Sequence, residues 1–124
     1  MSEKKGRERR QNDRYPTHIQ VDYSRGDNFL FSYIENISIM GIFIYTEEPF
    51  AVGTELQMRF GREGEPPLDV QGTVAWVNPM RGIDDINPGM GVRFENLTPE
   101  AREQIVNLVQ SIAYLDDTGE GPLN

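Results

Sequence analysis

Along most of this chain apolar residues alternate with polar ones, at a period of two. Over residues 17–23, Ile19, Val21 and Tyr23 share one face and His18, Gln20 and Asp22 the other, the pattern of a half-buried strand. Pro16 disfavours helix at Tyr15 and starts this extended run. Residues 24–28 contain Gly26 and read as a hairpin turn. A second strand is predicted over 29–36, rich in aromatic and β-branched residues. A third, over 42–46, is apolar without a break and so buried on both faces. Pro49 and Gly53 make 47–53 a loop. The alternation returns over 54–60, with Leu56, Met58 and Phe60 inward and Gln57 and Arg59 outward, and 61–67 is a long turn. Residues 68–78 form the longest candidate strand. There Val70, Val74 and Trp76 share a parity, which assigns Trp76 to the core. After a loop over 79–88, Met90, Val92 and Phe94 alternate with Gly91, Arg93 and Glu95.

The period then changes. Thr98-Pro99-Glu100 is a helix start: an N-cap residue, a proline at the first helical position and an acid near the positive dipole end. Ala101, Ile105, Leu108, Val109 and Ile112 follow at helical spacing and give one apolar stripe. The helix is expected to fade by about Leu115. Six short strands and one helix predict a mainly β fold, a small six-stranded antiparallel barrel with a C-terminal helix. An open sheet with the helix on one face fits the same periodicity. The expected organisation is a basic arm over 1–13, a barrel with its helix over 14–115, and a disordered polar tail over 116–124.

Charge changes this picture at one end. The 124 residues carry a net charge of -8. Residues 1–14 hold six cations, Lys4, Lys5, Arg7, Arg9, Arg10 and Arg14, against Glu3, Glu8 and Asp13, a balance of +3 that leaves -11 on the rest. An acidic body argues against duplex DNA, whose phosphates supply most of such affinity. A basic arm on it suits a small anionic ligand. The absence of cysteine excludes disulfides, a thiol nucleophile and thiolate metal sites. No apolar run reaches the length of a membrane span and no signal-peptide core is visible. A soluble, cytoplasmic protein without membrane insertion is therefore expected. Catalytic machinery is not apparent: His18 is a lone histidine at an exposed strand position, Asp84-Asp85 reads as a solvated loop, and no phosphate-cradling glycine loop or Ser-His-acid set is present. The expectation is a protein that is not an enzyme and needs no cofactor or metal.

Two stretches carry candidate chemistry. Arg10 and Arg14 stand four apart just before the first strand, with Arg9 beside them. Guanidinium is planar, permanently charged, and forks onto phosphate oxygens or onto the O6 and N7 edge of guanine. Asn36, Ser38 and Gly41 fall at the turn between the second and third strands. They offer an amide, a hydroxyl and an unshielded N–H. Each stretch also has a plain reading, a solvated charged tail and a structural turn.

Together, Arg-x-x-x-Arg before the first strand and Asn-x-Ser-x-x-Gly at this turn resemble the PilZ domain family, bacterial receptors for cyclic dimeric GMP. The resemblance runs from about Glu8 to Leu115 and includes Gly91-Val92-Arg93-Phe94 and the helix after it. Met40 departs mildly from the pattern, standing where many relatives have a second glycine. The resemblance implies a cyclic di-GMP site made by Arg10, Arg14, Asn36, Ser38 and Gly41; Arg9, beside Arg10, adds a third guanidinium that could stack on an outer guanine, so two molecules per chain are expected. It also implies a receptor or adaptor that signals to an unidentified protein partner. A module of the same fold without nucleotide affinity is one alternative. A single-stranded nucleic-acid binder using Trp76 and the aromatic strands as stacking platforms is another.

Overall fold

The computed structural model describes residues 13–79 and 87–118. Arg9, Arg10, the expected mobility of the arm, Asp84-Asp85 and the final residues 119–124 lie outside them. Six strands form a closed barrel: β1 (Tyr15–Arg25), β2 (Asn28–Ile37), β3 (Gly41–Tyr45), β4 (Glu55–Phe60), β5 (Leu68–Asn78) and β6 (Gly89–Glu95), followed by helix α1 (Pro99–Thr118). Neighbours around the barrel run β1-β2-β3-β6-β5-β4, all antiparallel. Closure, rather than an open sheet, removes most exposed strand edges.

The inward faces carry the predicted apolar residues. Val21, Ile34, Ile42, Ile44, Leu56, Phe60, Val74 and Met90 are buried in one continuous core. Ile105, Leu108, Val109 and Ile112 of α1 lay their stripe onto the same core. Thr98 caps the helix: its hydroxyl accepts from the Ala101 N–H at 3.0 Å. The helix continues to Thr118, three residues past the expected fade at Leu115.

The predicted five-residue turn between β1 and β2 is tighter than expected. Arg25 pairs with Asn28, so only Gly26 and Asp27 make the turn. Gly26 takes φ +61° at the first turn position, as a type II′ hairpin requires. Gly41, read as part of a loop, is the first residue of β3.

One core assignment fails. Trp76 points outward and is 49% exposed. Val74 pairs with Val92, yet Trp76 pairs with the next residue, Gly91, leaving Ala75 as a bulge. One extra residue reverses the parity of everything after it. Val77 then packs on the core in the place the alternation gave to Trp76.

Candidate functional site

β1 and β2 bear bulges of the same kind. The β1–β2 register shifts between Pro16 and Ile19, and the β2–β3 register shifts between Ile34 and Asn36. The second shift turns the Asn36 side chain outward although Ile34, two residues earlier, points in. The three bulges bracket one part of the outer wall, and bulges commonly re-aim a side chain there.

Across that wall the registers line up a row: Pro16 beside Asn36, Asn36 beside Phe43, Phe43 beside Gly91, and Gly91 beside Trp76. At its β1 end, Arg14 reaches over the barrel rim. Its Nε donates to Asn36 Oδ1 at 2.5 Å and its Nη1 to Ser38 Oγ at 3.5 Å. The carboxamide oxygen is committed to Arg14, so the Asn36 NH2 faces away, without a partner among the described residues. Burial lowers the Arg14 pKa from its ordinary value, but a guanidinium stays charged at any accessible pH.

Ser38 is 1% exposed and is held on every side. Its hydroxyl accepts from the Met40 N–H at 3.0 Å. Its own N–H donates to the Gly41 carbonyl at 2.9 Å, and the Met40 carbonyl accepts from the Phe94 N–H at 3.0 Å. The turn is thus stapled to β6, and the hydroxyl that meets Arg14 is fixed before any ligand arrives. A Cβ on Gly41 would stand 2.2 Å from the Val92 carbonyl oxygen. Glycine at this position serves the close approach of β3 to β6.

The far end of the row is flat and aromatic. Phe43 and Trp76 stack with ring centroids 5.1 Å apart at 23°. Each ring lies on a glycine of β6. A Cβ at Gly89 would meet the Phe43 ring at 2.6 Å, and one at Gly91 would meet Trp76 Nε1 at 2.1 Å. The shelf was not legible from strand parity; the Gly89-x-Gly91 spacing of β6 was the signal that two flat side chains lie across it.

The charges near this wall differ in how they are partnered. Arg93 is ion-paired with Glu95 at 3.0 Å and Arg59, on another wall, with Asp69 at 2.7 Å. Arg14 has only neutral oxygens as hydrogen-bond partners among the described residues. It is a positive group on an acidic body, aimed by its partners and neutralised by no carboxylate among the described residues. The structure thus brings Arg14, Asn36 and Ser38 together, places Gly41 in the strand pairing beneath them, and adds Phe43 and Trp76. His18 is exposed and stacks on Tyr33 at 4.2 Å, apart from this cluster. Among the described residues no group of three His, Cys, Asp or Glu side chains is placed to hold a metal, and no helix is long and apolar enough to cross a membrane.

The family profile described as the PilZ domain matches residues 8–111. No curated protein sequence matches significantly. Among solved structures, the chain is similar to the PilZ domain of YcgR from Escherichia coli, solved with c-di-GMP, at 16% identity and TM-score 0.69, covering 93% of this chain and 97% of that one. It is similar to the Bacillus subtilis inhibitor of motility MotI/DgrA at 15% identity and TM-score 0.66, covering 83% of this chain but only half of that one. It also resembles Borreliella burgdorferi PlzA, solved in complex with c-di-GMP, at 10% identity and TM-score 0.59, covering 100% of this chain and 59% of that one.

Proposed function

The chain belongs to the PilZ domain family, and from that membership and the Arg14 clasp we propose that it is a receptor for cyclic di-GMP. The observation that carries the reading is the Arg14 guanidinium, oriented by Asn36 and Ser38 and offset by no carboxylate among the described residues. Two relatives of the same fold were solved with this nucleotide.

In this reading the free N–H groups of Arg14 fork onto a phosphate or a guanine edge. The Asn36 NH2 donates to a second acceptor. The Trp76 face receives a base by stacking. Three interstrand steps separate Asn36 from Trp76, about 14 Å, a span suited to a ligand with two bases. Arg10 and Arg9 supply further guanidinium groups, Arg10 against the first nucleotide and Arg9 against a second stacked on it. Drawing these residues onto the barrel rim changes the surface there, and a protein partner reads that change. No residue of the cluster acts on the ligand chemically, so the role is a receptor's and adaptor's, not an enzyme's.

Titration calorimetry with cyclic di-GMP, GTP and a short RNA tests this. Only the cyclic dinucleotide should saturate, at about micromolar affinity or roughly 8 kcal/mol, with two molecules per chain that fall towards one in Arg9→Leu. No heat with about hundred-micromolar cyclic di-GMP, well above that dissociation constant, would overturn the receptor reading. Saturation at one molecule, unchanged by Arg9→Leu, would overturn the second site alone.

A further inference from the structure

β3 covers β2 only from Ile34 onward. Between the turn and that point, residues 28–33 of β2 are paired with β1 on one side, and among the described residues no strand lies on the other. This edge carries the most exposed aromatics of the described barrel, Phe29 at 77% and Phe31 at 61%. It also lacks the usual protection of edge strands: residues 28–33 contain no proline, no lysine and no charge.

The phase of the hairpin decides which backbone groups are open. A two-residue turn makes Arg25 and Asn28 a pair that exchanges hydrogen bonds. The residues of β2 that bond to β1 are therefore Asn28, Leu30 and Ser32. The N–H and C=O groups of Phe29 and Phe31 face the open edge, between the two exposed rings.

We propose that this edge pairs with the same edge of a second copy, antiparallel about a two-fold axis through Leu30. In that register Phe29 lies opposite Phe31 of the second copy and Phe31 opposite its Phe29, giving about four backbone hydrogen bonds. Each pair also places two aromatic rings side by side. The window is self-complementary in length. It extends as far on one side of Leu30, to the Gly26-Asp27 turn, as on the other, to Ser32, whose hydroxyl donates to the carbonyl of Tyr45, the last residue of β3. The turn of the second copy ends where β3 would otherwise block it. No charged side chain stands in the paired window 28–32.

The interface is small. Phe29, Leu30, Phe31 and Tyr33 offer roughly 400 Å² of exposed side chain per copy, about half of what a standard stable interface buries on each partner. The dimer is therefore weak and concentration-dependent. Two bodies of charge -8 also repel, so added salt strengthens it by screening.

Sedimentation velocity on the full chain without nucleotide, from about 10 µM to about 1 mM, tests the pairing independently of the receptor reading. The weight-average mass should climb from one chain towards two, more steeply at higher salt. Phe29→Lys places a cation in the window, and Phe31→Pro removes the outward N–H while sparing the bonds to β1. Each should raise the dissociation constant at least tenfold with circular dichroism unchanged. Amide exchange at Phe29 and Phe31 should slow with concentration while that at Leu30 stays constant. A single-chain mass throughout would overturn the proposal and leave the edge to a strand of another protein. A dimer indifferent to Phe29→Lys, a side chain outside the core, would overturn it as well.

Discussion

The outer surface of the barrel has two contrasting regions that share strands β2 and β5. One is the row from Asn36 to Trp76. The other crosses Phe31, Asp22, Arg59 and Asp69 in unbroken register. The second region has no bulge, and its arginine is neutralised: Arg59 donates two hydrogen bonds to the Asp69 carboxylate, at 2.7 and 3.1 Å, and feels the charge of Asp22 as well. The first region has three bulges, two glycine floors under flat rings, and an arginine held by neutral oxygens. The same residue type, on two walls of one barrel, is ion-paired within the barrel in one place and, among the described residues, held only by neutral oxygens in the other. In the regular region the arginine is paired with a carboxylate; in the irregular one a charge is aimed by neutral oxygens with no carboxylate beside it among the described residues.

The sharpest way to break the contrast is to put side chains on the glycine floor. Gly41→Ala drives a methyl into the Val92 carbonyl, which is backbone and cannot swing aside. A loss of about 3 kcal/mol is expected, roughly 10–20 °C in Tm for a domain of this size. At Gly91 the obstacle is the Trp76 indole, a movable side chain. Gly91→Ala should cost about 1 kcal/mol, the worth of an aromatic pair, and shift the emission of the only tryptophan to the red as the ring leaves Phe43. Calorimetric melting and fluorescence together check both. Equal Tm losses would mean that the two glycines do not differ in what they support.

A smaller expected effect separates the two arginines directly. Arg14→Ala should weaken cyclic di-GMP binding by about 10- to 100-fold, the loss of one or two charge-assisted hydrogen bonds, while the ligand-free Tm barely moves. Arg59→Ala should leave binding within about twofold, since its charge is already offset and its removal acts only through long-range screening. If both substitutions weakened binding alike, the affinity would come from overall charge and not from the Arg14 clasp.

Much of this arrangement was legible in the sequence. Period-two alternation located the strands that have one wet face, the unbroken apolar run of 42–46 located β3, which is buried over Gly41–Ile44, and the change to helical spacing after Thr98 located α1. Arg14 stands 22 and 24 residues from Asn36 and Ser38; taken singly their stretches read as a charged tail and a structural turn, and it was the resemblance of the pair to the family's motifs that joined them in one site. Parity arguments failed where a strand carries an extra residue. Nothing in Val74-Ala75-Trp76 marks Ala75 as a bulge, because the bulge depends on how β6 pairs with β5. The outward turn of Asn36 had the same cause at Glu35. At Gly41 the sequence could not say which neighbour makes the close approach; in the fold the Val92 carbonyl of β6 does.

The smallest effect belongs to the regular region, and its sign is fixed. Hydrogen bonding to Arg59 holds the Asp69 carboxyl below the usual carboxylate range, and burial opposes that only in part. A carboxyl whose folded pKa is depressed stabilises the fold at pH above its unfolded value of about 3.9. That contribution is lost as the pH falls through the lower folded value. Asp69→Asn should therefore melt slightly below the parent protein at neutral pH, and the gap should close in acid, below the ordinary carboxylate pKa. The gap should also shrink in high salt, since both side chains are more than half exposed and such pairs are screened. Cyclic di-GMP binding should be unaffected, because the pair lies on the other wall. A gap that persisted unchanged into acid would mean that Asp69 contributes through packing and not through its charge.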